Sequence, residues 1–219
     1  MELSNYFPIW NKIAPEHQQL INRACLFQKV TQGTQIHDGG ADCLGLVIMK
    51  SGQLRAYILS EGGREITLSR LFEYDISILS ASCVIPDMPL NIMIEAEKDS
   101  EFWSIPAFVI KQLMSESLPI SNYTRDLITG NFSELMWLTE QIMWKSVDKR
   151  LAAFLLEESL LENSDLLKIT HEKIANHMGT AREVVTRMLR YFQGEKMVTL
   201  SRGTIQLADR KKLESLRDL

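Results

Sequence analysis

The chain has 219 residues, 45% of them hydrophobic and 24% charged, with a formal net charge of −4. This is the composition of a folded globular protein and excludes an intrinsically disordered one. No apolar run approaches the roughly 20 residues of a transmembrane helix, Met1–Trp10 lacks the basic-then-apolar pattern of a secretory signal, and the net acidity, taken whole, argues against a nucleic-acid partner.

In chain order, Phe27 to Ile105 reads as short β-type runs separated by turns. Leu44–Met49 and Leu54–Leu59 are apolar-rich runs joined by a turn-like Lys50-Ser51-Gly52-Gln53. Gly62-Gly63, flanked by such runs, is a hairpin signal, and Glu65–Leu71 resumes the pattern. Leu90–Ala96 and Glu101–Ile105 follow. Together these runs predict an antiparallel barrel or jelly roll within an α+β chain.

The period changes from Ser121. Ser121–Lys145 has no proline and one glycine, and predicts a helix of about 37 Å. Ile128, Leu135 and Ile142 form one heptad row, and Thr124, Asn131 and Leu138 form its neighbour. Leu127, Phe132, Met136 and Met143 widen the apolar face. Such a helix either packs on its own sheet or meets a second copy. Its length, and Asn131 as a register-setting polar group, favour the dimer. Ser146 is placed to cap a following helix, Val147–Leu161, so Trp144, Ser146 and Val147 form a candidate hinge. Charge divides here: residues 1–146 hold 11 basic and 17 acidic side chains, net −6, whereas residues 147–219 hold 13 and 11, net +2.

Residues 169–189 carry the most information. Thr170 starts a short helix with Ile174, Ala175 and Met178 as its apolar positions, and Gly179 supplies a tight turn. A second helix follows with Val184, Val185, Met188 and Leu189 as its core stripe, leaving Arg182, Glu183, Thr186, Arg187 and Arg190 outside it. In a helix-turn-helix the second helix enters the major groove with its N-terminal residues at the base edges. There Arg182 and Arg187 can each donate a bidentate pair to guanine, and Glu183 can accept from cytosine. Taken alone, the trio reads equally well as a solvated face with Glu183 and Arg187 paired across one turn. The preceding helix and turn glycine shift the balance to DNA, as does the hairpin that follows. That hairpin runs Met197–Leu200, a turn at Ser201–Thr204 with Arg202 at its tip, and Ile205–Leu207, and Asp209–Leu219 reads as a closing helix.

The sequence resembles the CRP/FNR family of bacterial transcription regulators along nearly its whole length. The resemblance is carried by Gly62–Leu68, Leu79–Cys83, Arg150–Leu155 and, most specifically, Thr170–Glu172 with Arg182–Arg187. It implies a cyclic-nucleotide-binding-like sensor domain at 1–118, a long dimerisation helix at 119–145 and a winged helix-turn-helix at 146–219. It also implies that Arg182, Glu183 and Arg187 read a TGTGA-like half-site, that Thr170 meets the DNA backbone, and that RNA polymerase is a partner. Thr180 and Arg202 complete the candidate DNA contacts.

The sensor half departs from the family pattern. Cyclic-nucleotide-binding members carry a Gly-Glu pair for the ribose and an arginine for the cyclic phosphate. Here the matching stretch is Phe72–Ser80, and Leu90-Asn91 falls where that arginine would stand. A cyclic phosphate buried without its guanidinium is an unpaired charge, so cyclic AMP is not the expected effector. Cys25, Cys43 and Cys83 are odd in number and scattered, which points to reduced thiols and a cytoplasmic setting rather than an iron–sulfur cluster. His17, His37, His171 and His177 are expected at the surface without metal-ligand spacing, and nothing favours haem. The expected effector pocket joins Leu79, Ser80, Ser82, Cys83, Leu90 and Asn91 to Asn131, Leu135 and Met136, and suits a small, largely apolar molecule. Two alternatives are a redox response through Cys83 and a ligand-binding module that does not touch DNA. No nucleophile–base, zinc-protease, P-loop or dinucleotide motif is present, so no enzymatic activity is expected.

Overall fold

A computed structural model describes residues 2–39, 44–78 and 92–218. The chain folds as two compact bodies, one of Met1–Leu59 and Leu68–Met136, the other of Ser60–Thr67 and Trp137–Leu219. The architecture is α+β: an N-terminal antiparallel sheet, a long helix and a C-terminal helix-turn-helix with a small sheet.

In the first body, helical turns at Leu3–Asn5 and Trp10–Lys12 precede α1 (Pro15–Ala24), which opens on a proline at a position where its missing N–H costs nothing. The sheet is built from β1 (Leu26–Val30), β2 (Gln35–Asp38), β3 (Leu46–Leu59), β4 (Glu65–Leu71), β5 (Ile76–Ile78) and β6 (Ile92–Ile105). β6 pairs with β1, β2 and β3, and β3 pairs in turn with β4 and β5. The sheet curls without closing into a barrel.

Four of the expected short runs merge in pairs into two long strands, β3 and β6. Lys50–Gln53 is a bulged corner inside β3 rather than a turn between two strands, with register shifts between Met49 and Leu54 where it passes β6. Gly52, at φ +89, lets the backbone meet β6 so closely that a Cβ would lie 2.3 Å from the Asp99 carbonyl oxygen. The corner lets each strand serve both halves of the curl. Leu46 and Ile48 face a core shared with Trp103, Ile105 and α2 (Ala107–Glu116). Val47 and Met49 face a second core with Leu54, Ile94 and Phe102. The Gly62-Gly63 signal holds, with Gly63 at φ +75 and its N–H donating to the Ser60 carbonyl at 2.9 Å.

The long helix, α3, runs Leu118–Trp144, and α4 (Val147–Leu161) follows after two residues. The expected cap at Ser146 is corrected in its chemistry. Ser146 occupies the N-cap position, but its hydroxyl makes no capping bond to a backbone N–H. Instead it hydrogen-bonds the Asp148 carboxyl, holding that acid below the ordinary carboxylate range.

The C-terminal fold comprises β7 (Leu166–Leu167), α5 (His171–Met178), α6 (Arg182–Gly194), β8 (Val198–Ser201), β9 (Thr204–Leu207) and α7 (Arg210–Asp218). β7 pairs with β9, so the expected two-stranded ribbon has a third, short strand alongside Ile205 and Gln206. One apolar core unites Leu151 and Leu155 of α4, Ile174 of α5, Val185, Leu189 and Phe192 of α6, and Leu213 of α7.

Candidate nucleic-acid interface

The helix-turn-helix is held by local chemistry at both ends of α5. Thr170 is the N-cap, its Oγ1 accepting from the Lys173 N–H at 3.1 Å, a bond worth about 1 kcal/mol. The cap uses a lone pair and leaves the hydroxyl hydrogen free to donate outward. At the other end Gly179 takes the left-handed conformation, φ +65, and the chain turns into α6. Arg150 of α4 donates to the Met178 carbonyl beside this turn, and burial lowers the pKa of its guanidinium.

α6 buries Val185, Leu189 and Phe192 and leaves Arg182, Glu183, Arg187 and Arg190 exposed. Among the described residues these four side chains make no ion pair, so the one-turn pairing of Glu183 with Arg187 does not form. Three guanidinium groups and one carboxylate therefore stand unpartnered on one face, with Arg182 and Glu183 in the first turn. Thr180 precedes the helix, half-buried, its N–H donating to the Ala175 carbonyl at 3.0 Å. Arg202 is exposed at the β8–β9 turn, where Gly203 has φ +74 and Ser201 pairs with Thr204.

The histidines correct the expectation that all four lie at the surface. His177 is buried at 7% exposure, its Nδ1 2.8 Å from Thr67 Oγ1 and its ring 5.4 Å from that of Phe154. His171 is half-buried, its Nδ1 2.9 Å from Thr186 Oγ1. Burial, then the charges of Arg182 and Arg190, hold the His171 pKa below the usual histidine value. The link between His171 and Thr186 spans 15 positions and has no local sequence signal.

In the first body, Leu79, Ser80, Ser82, Cys83, Leu90 and Asn91 lie outside the described residues. Asn131 is half-buried and turned to its own sheet: its Nδ2 donates to the Ile78 carbonyl at 3.2 Å and lies 3.4 Å from Ser77 Oγ. The amide thus has partners within its own chain. Leu135 is half-buried, but Met136 is 54% exposed and does not point into a core. The sheet also holds ions that the strand pattern conceals. Arg70 pairs with Glu97 at 2.8 Å, Gln53 donates to Glu97 at 2.7 Å, and Arg55 pairs with Glu95 at 2.9 Å while lying over the Tyr57 ring. A separate cleft of about 540 Å³ is lined by Trp10, Gln18, Cys25, Phe27 and Trp103 among others, and includes none of the expected pocket residues. Among the described residues no three His, Cys, Asp or Glu side chains are grouped to hold a metal ion, and no helix is long and apolar enough to cross a membrane.

Comparison with known proteins agrees with this geometry. Residues 149–216 match the Crp-like helix-turn-helix domain. A solved chain from Eubacterium rectale ATCC 33656, assigned to the crp/fnr family of transcriptional regulators, is 55% identical. Its TM-score is 0.95, and the match covers 98% of this chain and 100% of that one. The Cyclic AMP receptor protein of Thermus thermophilus is 22% identical over 209 residues, covering 95% of this chain and 96% of that protein. The c-di-GMP responsive global regulator CLP of Xanthomonas campestris shares the fold at TM-score 0.72 and 15% identity, covering 89% and 99% of the two chains.

Proposed function

The chain belongs to the CRP/FNR family of transcription regulators, and on that premise we propose that it is a homodimer that binds a palindromic TGTGA-like DNA site under control of a small effector. The observation that carries the proposal is that Arg182, Glu183 and Arg187 of α6 are exposed and without an ion-pair partner among the described residues. A surface helix gains by pairing such charges across a turn, and here they stand open to an outside partner. Arginine forks match guanine O6 and N7, and the carboxylate of Glu183 repels phosphate, so its gain lies in selecting a base. Thr170, Thr180 and Arg202 flank this face and supply backbone contacts that fix register.

Dimerisation through α3 is supported by its exposed apolar side chains. Phe132, Met136, Trp137, Met143 and Trp144 are 54–78% exposed along one helix, and so large an apolar surface marks an interface in a soluble protein. Two-fold symmetry then sets two half-sites roughly 34–36 Å apart. The two residues between α3 and α4, flanked by Trp144 and Val147, are the hinge through which an effector re-aims α6. Cyclic AMP is not that effector, for want of the phosphate-binding arginine, and RNA polymerase is the partner once DNA is bound.

The test is binding to a duplex carrying inverted TGTGA half-sites. Arg182→Ala and Arg187→Ala should each cost about 1–3 kcal/mol and relax selectivity at one base pair. Variants that bind as tightly and as selectively as wild type overturn the assignment of α6 as the reading helix.

A further inference from the structure

Resting on the DNA-binding reading above, we propose that His171 is a positioning residue for Arg182 and makes DNA binding proton-linked. The physical basis is a two-bond relay. His171 Nδ1 lies 2.9 Å from Thr186 Oγ1, and Thr186 Oγ1 donates to the Arg182 carbonyl at 2.9 Å. A threonine hydroxyl has one hydrogen, and that hydrogen is spent on Arg182. Thr186 therefore accepts at its other face, and the imidazole donates from Nδ1–H. The first residue of α5 thus anchors the first turn of α6, the turn that carries Arg182 and Glu183.

The same bond fixes where a second proton goes. With Nδ1 committed as donor, the neutral ring keeps its lone pair on Nε2, and protonation there adds charge without breaking the relay. The charged groups beside the ring are Arg182 and Arg190 of α6, the helix packed against α5. On its own helix the near neighbours are Glu172 and Lys173, both exposed. Burial and the two guanidinium groups disfavour the imidazolium of His171 in the free protein. Phosphates arriving at this face reverse the sign of the local field and favour the imidazolium.

The direction follows from linkage. The pKa of His171 is lower in the free protein than on DNA, so the complex binds more protons. Affinity therefore rises as pH falls through the complex value and levels off below the free value. At the steepest point the gain is up to about tenfold in Kd per pH unit for each protomer.

The experiment measures fluorescence anisotropy of a labelled duplex with inverted TGTGA half-sites, from pH 5.5 to 8.5 at constant ionic strength. Wild type, His171→Gln and Thr186→Val are compared, and the His171 imidazole is titrated by NMR with and without the duplex. Wild type should tighten towards acid pH, with the His171 pKa rising on DNA. His171→Gln keeps a donor for Thr186 but cannot titrate, so its profile should be flat. Thr186→Val cuts the relay and should lose discrimination at the base pair read by Arg182. A flat wild-type profile, or a His171→Gln variant with the wild-type slope, overturns the proposal while leaving DNA binding intact. Failure of wild type to bind either duplex, this one and random alike, at low salt overturns the DNA-binding reading and the relay with it.

Discussion

At the scale of single residues, three positions carry separate physical consequences. Gly179 sits at φ +65, where an added Cβ would lie 2.8 Å from Ile66 Cδ1 and 3.1 Å from its Cβ. Gly179→Ala should cost at least about 1–2 kcal/mol from the left-handed backbone alone, lowering the thermal midpoint by several degrees in calorimetry. Glu101 is held to a pKa of about 2 by hydrogen bonds from Lys29 and Lys50. Its folded pKa is depressed, so its contribution to stability is complete above the unfolded carboxylate value and fades as pH falls towards about 2. An NMR titration should show this carboxyl still ionised at pH 3.5, where an unpartnered glutamate is mostly protonated. The Cys25 thiol is pushed up to about 11 by burial. Peptide mapping after brief alkylation at pH 8 should find it scarcely labelled, with labelling rising steeply above pH 10.

At the scale of elements, the helix-turn-helix was the most legible part of the chain. A stripe at helical spacing (Val184, Val185, Met188, Leu189) leaves Glu183 and Arg187 on the far face and Arg182 at the exposed first position of the helix, wherever the helix sits. The structure buries Val185 and Leu189 and adds Phe192 to the same row. Phe192 is fully buried at the centre of the C-terminal core, and Phe192→Ala should cost about 3–5 kcal/mol, melting the C-terminal body first in calorimetry. The hairpin before β4 was legible because Gly62-Gly63 is local chemistry. The bulged corner of β3 was not, because Gly52 looks the same in a turn and in a bulge, and only the approach of Asp99 decides between them. Nor were Arg70 and Glu97, since a charge in an alternating strand reads as outward unless its partner on another strand is known. The relay from His171 to Thr186 was hidden for a similar reason, being made by the crossing of two helices. α2 does carry a local signal: Val109, Ile110 and Leu113 follow Pro106 at helical spacing and are all buried.

At the scale of the whole molecule, the net charge of −4 conceals an acidic stretch at residues 1–146 and a slightly basic one at residues 147–219. An excess of only +2 in the DNA-binding half gives weak sequence-independent attraction. Affinity for random duplex should therefore be low even at about 50 mM salt, while binding to the cognate duplex falls with a modest salt slope; a titration of both duplexes against salt measures this. On the proposed reading, selectivity then rests on the few bases α6 would touch and on the pairing of two copies.

The exposed ridge of Phe132, Met136, Trp137, Met143 and Trp144 has a consequence for the life of a newly made chain. If α3 is the proposed dimer helix, a copy without its partner carries two indole rings and a pair of thioethers bare in water, open to whichever apolar surface it meets first. Survival in dilute solution becomes a race between adsorption and encounter with a like chain. Copies released side by side from one messenger start that race already close to the finish.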